Sequence, residues 1–265
     1  MKFDFTTIYD RRGRDAMAVD AVEKIPVFQP NEGFDAIPMW VADMNFATAP
    51  AVTEAIRKRL EHPLFGYFMP SDEYFDSIIR WQQRRNGVTG LEKEHIGYEN
   101  GVLGGLMSAL AAVCARGDNV LVHSPTYIGF TRSIENGGYH VITSPLKPDR
   151  YGVQRMDFFD METKIKRNDI RAVVFCSPHN PTGRVWEQEE LEHFMDMAQR
   201  LNVTVISDEI WSDLTFVAIS ISPCNPCPTT PDSAPWPCTP PPRPSIWRGS
   251  SAAITSCITK LSTNG

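Results

Sequence analysis

Residues 172–209 read "AVVFCSPHNPTGRVWEQEELEHFMDMAQRLNVTVISDE". Two short apolar runs, Ala172–Cys176 and Val203–Ser207, flank a stretch from Gln188 to Leu201 whose apolar residues recur at helical spacing. A β-branched run, an amphipathic helix and a second such run are what a parallel sheet requires, because the crossover helix covers one face and leaves the strands apolar on both sides. Working outward, "NVLVHSP" (119–125) and "HVITSP" (140–145) repeat the pattern. The class is therefore α/β, a mainly parallel sheet covered by helices.

Helices precede the strands. Thr48 and Pro50 open "AVTEAIRKRLEH", and Ser71 opens "DEYFDSIIRWQQRR", each with a capping residue and an amphipathic continuation. Asn100 precedes "GVLGGLMSALAAVCA", a small-residue helix apolar on nearly all sides, which suggests burial against the sheet.

Composition narrows the partners. The chain has 265 residues, 42% of them hydrophobic, and a formal net charge of -6. It is long enough for one large domain or two modest ones. Clustered Lys and Arg, the footprint of nucleic-acid binding, are missing, so a small molecule is the expected partner. The charged start "MKFDFTTIYDRRGRD" and the lack of a long apolar run predict a cytoplasmic protein without a membrane span. Cys114 and Cys176 sit alone in apolar runs, as small buried hydrophobes do. No metal site is expected.

In open parallel sheets ligands gather at the carboxyl ends of the strands, where this chain places Ser124–Tyr127, Ser177–Asn180 and Ser207–Glu209. Asn100–Leu106 offers free backbone N–H groups at a helix start, suited to a phosphate, although such a turn is often only a turn. It lacks the spacing of a dinucleotide fold. Tyr127 could stack on a flat ring or simply pack in the core. Asn180, within "HNPTG", could be a turn residue or a hydrogen-bonding amide. Asp208 closes an apolar strand and needs a cationic or hydrogen-bonding partner. Together a phosphate cradle, an aromatic ring, an amide and a buried carboxylate suit pyridoxal 5'-phosphate.

The stretches "PMWVADMNFATAP" (38–50), "FGYF" (65–68), "NGVLGGL", "SPTYIGF", "SPHNPTGRVW" and "SDEIWSD" resemble the aminotransferase class I/II superfamily, and within it the pyridoxal-phosphate-dependent C–S β-lyases of cystathionine β-lyase type. The resemblance covers Met1 to Phe216. It implies an incomplete large domain of fold type I and β-elimination from cystathionine or cysteine conjugates to pyruvate, ammonia and a thiol. Two other readings stay open, a class I/II aminotransferase and a non-catalytic cofactor-binding protein. By the resemblance, Val102 and Leu103 give N–H groups to the phosphate, Tyr127 stacks on the ring, Asn180 bonds its hydroxyl and Asp208 pairs with its nitrogen. Tyr67 would reach the phosphate of a neighbouring subunit, which implies a homodimer; Ala42 and Asp43 would line the substrate side. The sequence departs from the pattern at Asn45, where the lyases more often have Asp, and at Trp211, where many relatives carry His or Tyr. It also lacks the downstream Schiff-base lysine, so no catalytic residue is assigned; Lys260 has the wrong surroundings.

Three segments are expected: 1–48, part of a small domain and the substrate-side loop; 49–216, a truncated cofactor-binding domain; and 217–265, a disordered tail. After Phe216 there are prolines at 223, 226, 228, 231, 235, 237, 240, 241, 242 and 244, and the one acidic residue is Asp232. Cys224 and Cys227 make a lone C-x-x-C between prolines, too little for a zinc or redox site. A shifted reading explains the change of language. Pro242 to Ser250 can be encoded CCA AGA CCT TCA ATC TGG CGG GGC TCG, and starting at the last base of the Pro242 codon this spells Lys-Thr-Phe-Asn-Leu-Ala-Gly-Leu. That is the lysine motif the superfamily carries, so a frameshift near Leu214 to Phe216 is expected.

Overall fold

The computed structural model describes residues 3–34 and 37–215, together with the backbone of 246–249 and 255–257. Two compact units divide between Met69 and Pro70, so the boundary falls later than the expected one at 48/49.

The first unit holds α1 (Met17–Lys24) and α2 (Pro50–Leu60). Pro50 sits in the first turn of α2, where its missing N–H costs nothing, but the N-cap is Ala49 and no side chain caps the helix. Thr48 is one residue too early for the capping role expected of it. Trp40 Nε1 donates to Ala18 O at 3.2 Å and Tyr9 N to Asn45 O at 3.0 Å, tying the 40–45 loop to the start of the unit.

The second unit begins with α3 (Asp72–Asn86). As expected, Ser71 caps it, accepting from Tyr74 N at 3.2 Å, and Gly87 ends it at φ 64°, a left-handed conformation that glycine adopts without strain. Then follow β1 (Ile96–Tyr98), α4 (Val102–Val113), β2 (Asn119–Ser124), α5 (Ile128–Asn136), β3 (His140–Pro145), β4 (Lys147–Pro148), β5 (Gln154–Arg155), α6 (Phe158–Arg167), β6 (Ala172–Cys176), α7 (Gln188–Arg200) and β7 (Thr204–Asp208). Two short strands complete the chain, β8 (Ile246–Gly249) and β9 (Thr255–Cys257). They lie within the tail expected to be disordered, and the rest of that tail is outside the described residues.

The main sheet has the order β3-β2-β6-β7-β8, with every neighbouring pair parallel. The edge of β7 is paired by β8, with Asp208 opposite Gly249. β1 and β9, and β4 and β5, form small antiparallel pairs.

Alternation along the strands explains why the runs read as continuously apolar. Leu121, Val173, Phe175 and Val205 face one core with Met161 and Ile165 of α6 and Leu191, Phe194 and Met197 of α7. Their neighbours Val120, Val122, Val174 and Ile206 face a second core with Leu106 and Leu110 of α4 and Phe130 and Ile134 of α5. A sheet buried on both faces puts each such side chain out of water, worth roughly 1.5–3 kcal/mol apiece.

Phe194 is fully buried and its ring stacks on Phe175 with centroids 5.0 Å apart. Phe194→Ala should therefore cost about 3–5 kcal/mol, whereas Phe159→Ala, at a side chain 85% exposed, should change stability by less than about 0.5 kcal/mol. Denaturant unfolding of both variants checks this. Equal losses would contradict the packing described.

Candidate functional site

β2, β6 and β7 are adjacent and parallel, so their carboxyl ends open on one edge of the sheet. Cys176 is the register partner of Asp208, and Ser177 N donates to Asp208 O at 2.9 Å, which locks the start of the 177–187 loop to the end of β7. α4 packs against the same strands, sharing a core with Cys176 and Ile206.

Asp208 is 9% exposed. Burial pushes its carboxyl up to about 6, with Glu209 adding to the rise and a hydrogen bond from Ile210 N to Oδ1, at 3.0 Å, opposing it. Among the described residues no cationic side chain pairs with it. This is a carboxylate in want of a positive partner, at the place where the sequence required one.

Asn180 lies half-buried one strand away, in a loop whose conformation is closed by its own backbone: Gly183 N donates to His179 O at 2.7 Å and His179 N to Arg184 O at 2.8 Å. Gly183 sits at φ 69°, which a side chain would strain. Tyr127 is the N-cap of α5, three residues after the end of β2; it is 38% exposed and its ring is perpendicular to that of Phe130 at 5.4 Å. Val102 and Leu103 are the first two residues of α4, behind Gly101 at φ 89°, and no side chain caps that end. Their N–H groups are thus free for an anion.

The remaining expected residues lie in the first unit. Asp43 pairs with Arg11 (Nη1–Oδ2 2.6 Å) and accepts from Met44 N at 2.8 Å, and these contacts, the arginine's first, hold its carboxyl below the usual range. Ala42 and Tyr67 are exposed. The second unit thus carries Val102, Leu103, Tyr127, Asn180 and Asp208 at the ends of strands β6 and β7 and at the starts of helices α4 and α5.

Sequence reasoning missed a group of buried polar side chains. His123, in the apolar run of β2, is 2% exposed, and neither ring nitrogen has a hydrogen-bond partner. His179, also 2% exposed, lies with its ring centroid 6.2 Å away; its Nδ1 meets Thr182 Oγ1 at 2.8 Å while Nε2 has no partner, and Ser177 Oγ has none either. Trp186 packs against both rings and donates Nε1–H to Cys176 O at 2.8 Å. Burial pushes His123 down to about 3, with His179 adding to the fall, and His179 down to about 4, so both are neutral near pH 7. The signal available in the sequence was a histidine inside an otherwise apolar strand.

An open cavity of about 550 Å³ lies elsewhere, between 152–154 and 182–188, and none of the strand-end residues lines it. Among the described residues, no group of three or more His, Cys, Asp or Glu side chains could hold a metal ion, and no helix is long and apolar enough to cross a membrane.

Comparison with known proteins places the chain in a family. The chain is 40% identical over 180 residues to cystathionine beta-lyase PatB of Bacillus subtilis, covering 68% of this chain and 46% of that protein. It is 31% identical over 218 residues to protein MalY of Escherichia coli, covering 81% and 53%. It superimposes with a TM-score of 0.75 on the PLP-bound C-S lyase of Staphylococcus hominis, at 33% identity over 84% of this chain and 55% of that one. The chain thus spans about half the length of the curated relatives it matches. Residues 36–228 match the family described as aminotransferase class I and II. The chain belongs to the aminotransferase class I and II family.

Proposed function

We propose that this chain is the cofactor-binding part of a pyridoxal-phosphate-dependent C–S β-lyase, acting as a homodimer in the cytoplasm on cystathionine or a cysteine conjugate. The observation that carries the reading is Asp208, a buried carboxylate raised to about 6 that no cation among the described residues satisfies. The donor set around it fits the group: one anion for a pyridine nitrogen, one amide, one exposed aromatic face and one uncapped helix N-terminus. When bound, pyridoxal phosphate supplies an electron sink for cleaving bonds at the amino-acid carbons.

The chain's own residues do the rest. Asp208 holds a proton on the ring nitrogen, and Asn180 bonds the ring hydroxyl. Tyr127 covers one face, and Val102 and Leu103 N–H groups hold the phosphate. Tyr67 reaches the neighbouring subunit's phosphate, and Ala42 and Asp43 line the substrate side, with Asp43 positioned by Arg11.

A second reading, a non-catalytic cofactor-binding protein, is favoured by the lysines. Lys93, Lys147, Lys164 and Lys166 are each tied to a carboxylate, of Asp72, Asp157, Asp160 and Glu162 respectively. None is assigned to hold the cofactor covalently. We attribute this to the frameshift near Leu214 to Phe216. Inserting one base there should restore a lysine, formed from the last base of the Pro242 codon and the first two of Arg243, and with it release of pyruvate from cystathionine. Transfer of the amino group instead would favour an aminotransferase. A gene that cannot spell a lysine codon at that position contradicts the frameshift. In the chain as it stands, borohydride reduction with pyridoxal phosphate followed by peptide mapping should find no single stoichiometric pyridoxyl-lysine, and finding one would overturn this account.

Asp208 also predicts a pH effect on the cofactor-free chain. A carboxyl whose folded pKa is raised binds its proton more tightly when folded, so its ionisation costs stability progressively as pH rises from about 4 to about 6. The shift corresponds to about 3 kcal/mol. His123 and His179, lowered on folding, act in the opposite sense over the interval up to about 6.5. The difference between wild type and Asp208→Asn isolates the carboxylate. The variant's advantage in unfolding free energy should be small at pH 4 and grow by about 1–3 kcal/mol by pH 7. A constant difference across that range would contradict the assignment.

A further inference from the structure

Gly129 is the second residue of α5 and is buried. Glycine is the poorest helix former after proline, and the backbone here does not require it, since Gly129 is not among the glycines with positive φ. The reason lies in the space beside it. A Cβ at 129 would stand 2.2 Å from Tyr127 Cε1, 2.6 Å from Cζ and 3.0 Å from Cδ1, and these are the three nearest atoms it would meet. Carbon atoms in contact prefer about 3.5–4.0 Å, so any other residue would drive the ring roughly 1 Å or more from its place.

We propose that Gly129 is a positioning residue for Tyr127: its missing side chain lets the tyrosine ring lie across the first turn of α5, beside the Gly129 backbone and perpendicular to the ring of Phe130. The ring lies perpendicular to that of Phe130 with centroids 5.4 Å apart, and Tyr127 as a residue stays 38% exposed. It is thus braced on the helix side and open on the other. A ring set in this way presents one fixed face to a flat ligand, and the orientation is encoded two residues further along the chain. The proposal rests on the reading of Tyr127 as the residue that stacks on pyridoxal phosphate.

The test is a double-mutant cycle on the full chain. Pyridoxal phosphate binding is measured by equilibrium dialysis for wild type, Gly129→Ala, Tyr127→Ala and the double variant. Gly129→Ala should weaken binding about threefold to tenfold, the size of a good aromatic contact, without lowering the melting temperature, because alanine favours the helix. In the Tyr127→Ala background the same change should have no effect. Without ligand, the ring resonances of ring-labelled Tyr127 should shift in Gly129→Ala. If Tyr127→Ala weakens binding but Gly129→Ala does not, or if Gly129→Ala weakens it equally with and without the tyrosine ring, the positioning role is overturned. Unshifted ring resonances overturn it as well. If Tyr127→Ala binds as wild type does, the stacking assignment fails, and the ring resonances still decide whether Gly129 sets the ring.

Discussion

The carboxylate of Asp208 has been taken out of water at the end of a mainly apolar strand, and among the described residues its oxygen Oδ1 receives only the N–H of Ile210 by way of compensation. Such a group is tolerated only where something positive completes it. The sheet makes the situation unavoidable. β7 lies between β6 and β8, and its side chains enter a core on each face, so the polar end of the strand must terminate inside the structure. The 177–187 loop is pinned to the same point through Ser177 N and Asp208 O. The position of Asn180 is a consequence of where Asp208 sits.

The histidine pair shows the same economy of placement under the other half of the edge. His123 and His179 are neutral, deeply buried and packed around Trp186, so they contribute shape rather than charge. The loop carrying Asn180 is thereby fixed on two sides, by Ser177 at its start and by the His179 ring, held through Thr182, in its middle.

Much of this was legible in the residues. The runs at 119–125, 140–145, 172–176 and 203–207 became β2, β3, β6 and β7 because a doubly covered sheet writes itself as mainly apolar sequence. Ser71 announced α3, and the apolar spacing of Leu191, Phe194 and Ala198 announced α7. The strand-end polar residues pointed to the ligand edge, and the need of Asp208 for a partner followed from its neighbours in sequence alone. Other features depend on contacts that local sequence does not contain. β1, β4 and β5 are two or three residues long, too short to show alternation. α5 mixes Gly129 with polar residues and hides its buried face of Phe130 and Ile134. Thr48 is a sound capping residue displaced by one position, which propensity cannot resolve. The division at Met69, and the burial of His123, arise from packing between distant segments.

The account turns on Asp208 as the anion that meets a protonated ring nitrogen, and the most direct measurement is its own titration. With aspartate carboxyl carbons labelled and Asp208 assigned by difference with Asp208→Asn, carbon-13 resonances can be followed against pH with and without pyridoxal phosphate. Free protein should show Asp208 titrating near 6. Bound cofactor should move it below the ordinary value of 3.8, because a neighbouring cation favours the ionised form. A midpoint that stays near 6 at saturating cofactor would contradict the account, since the carboxylate would then have gained no positive partner.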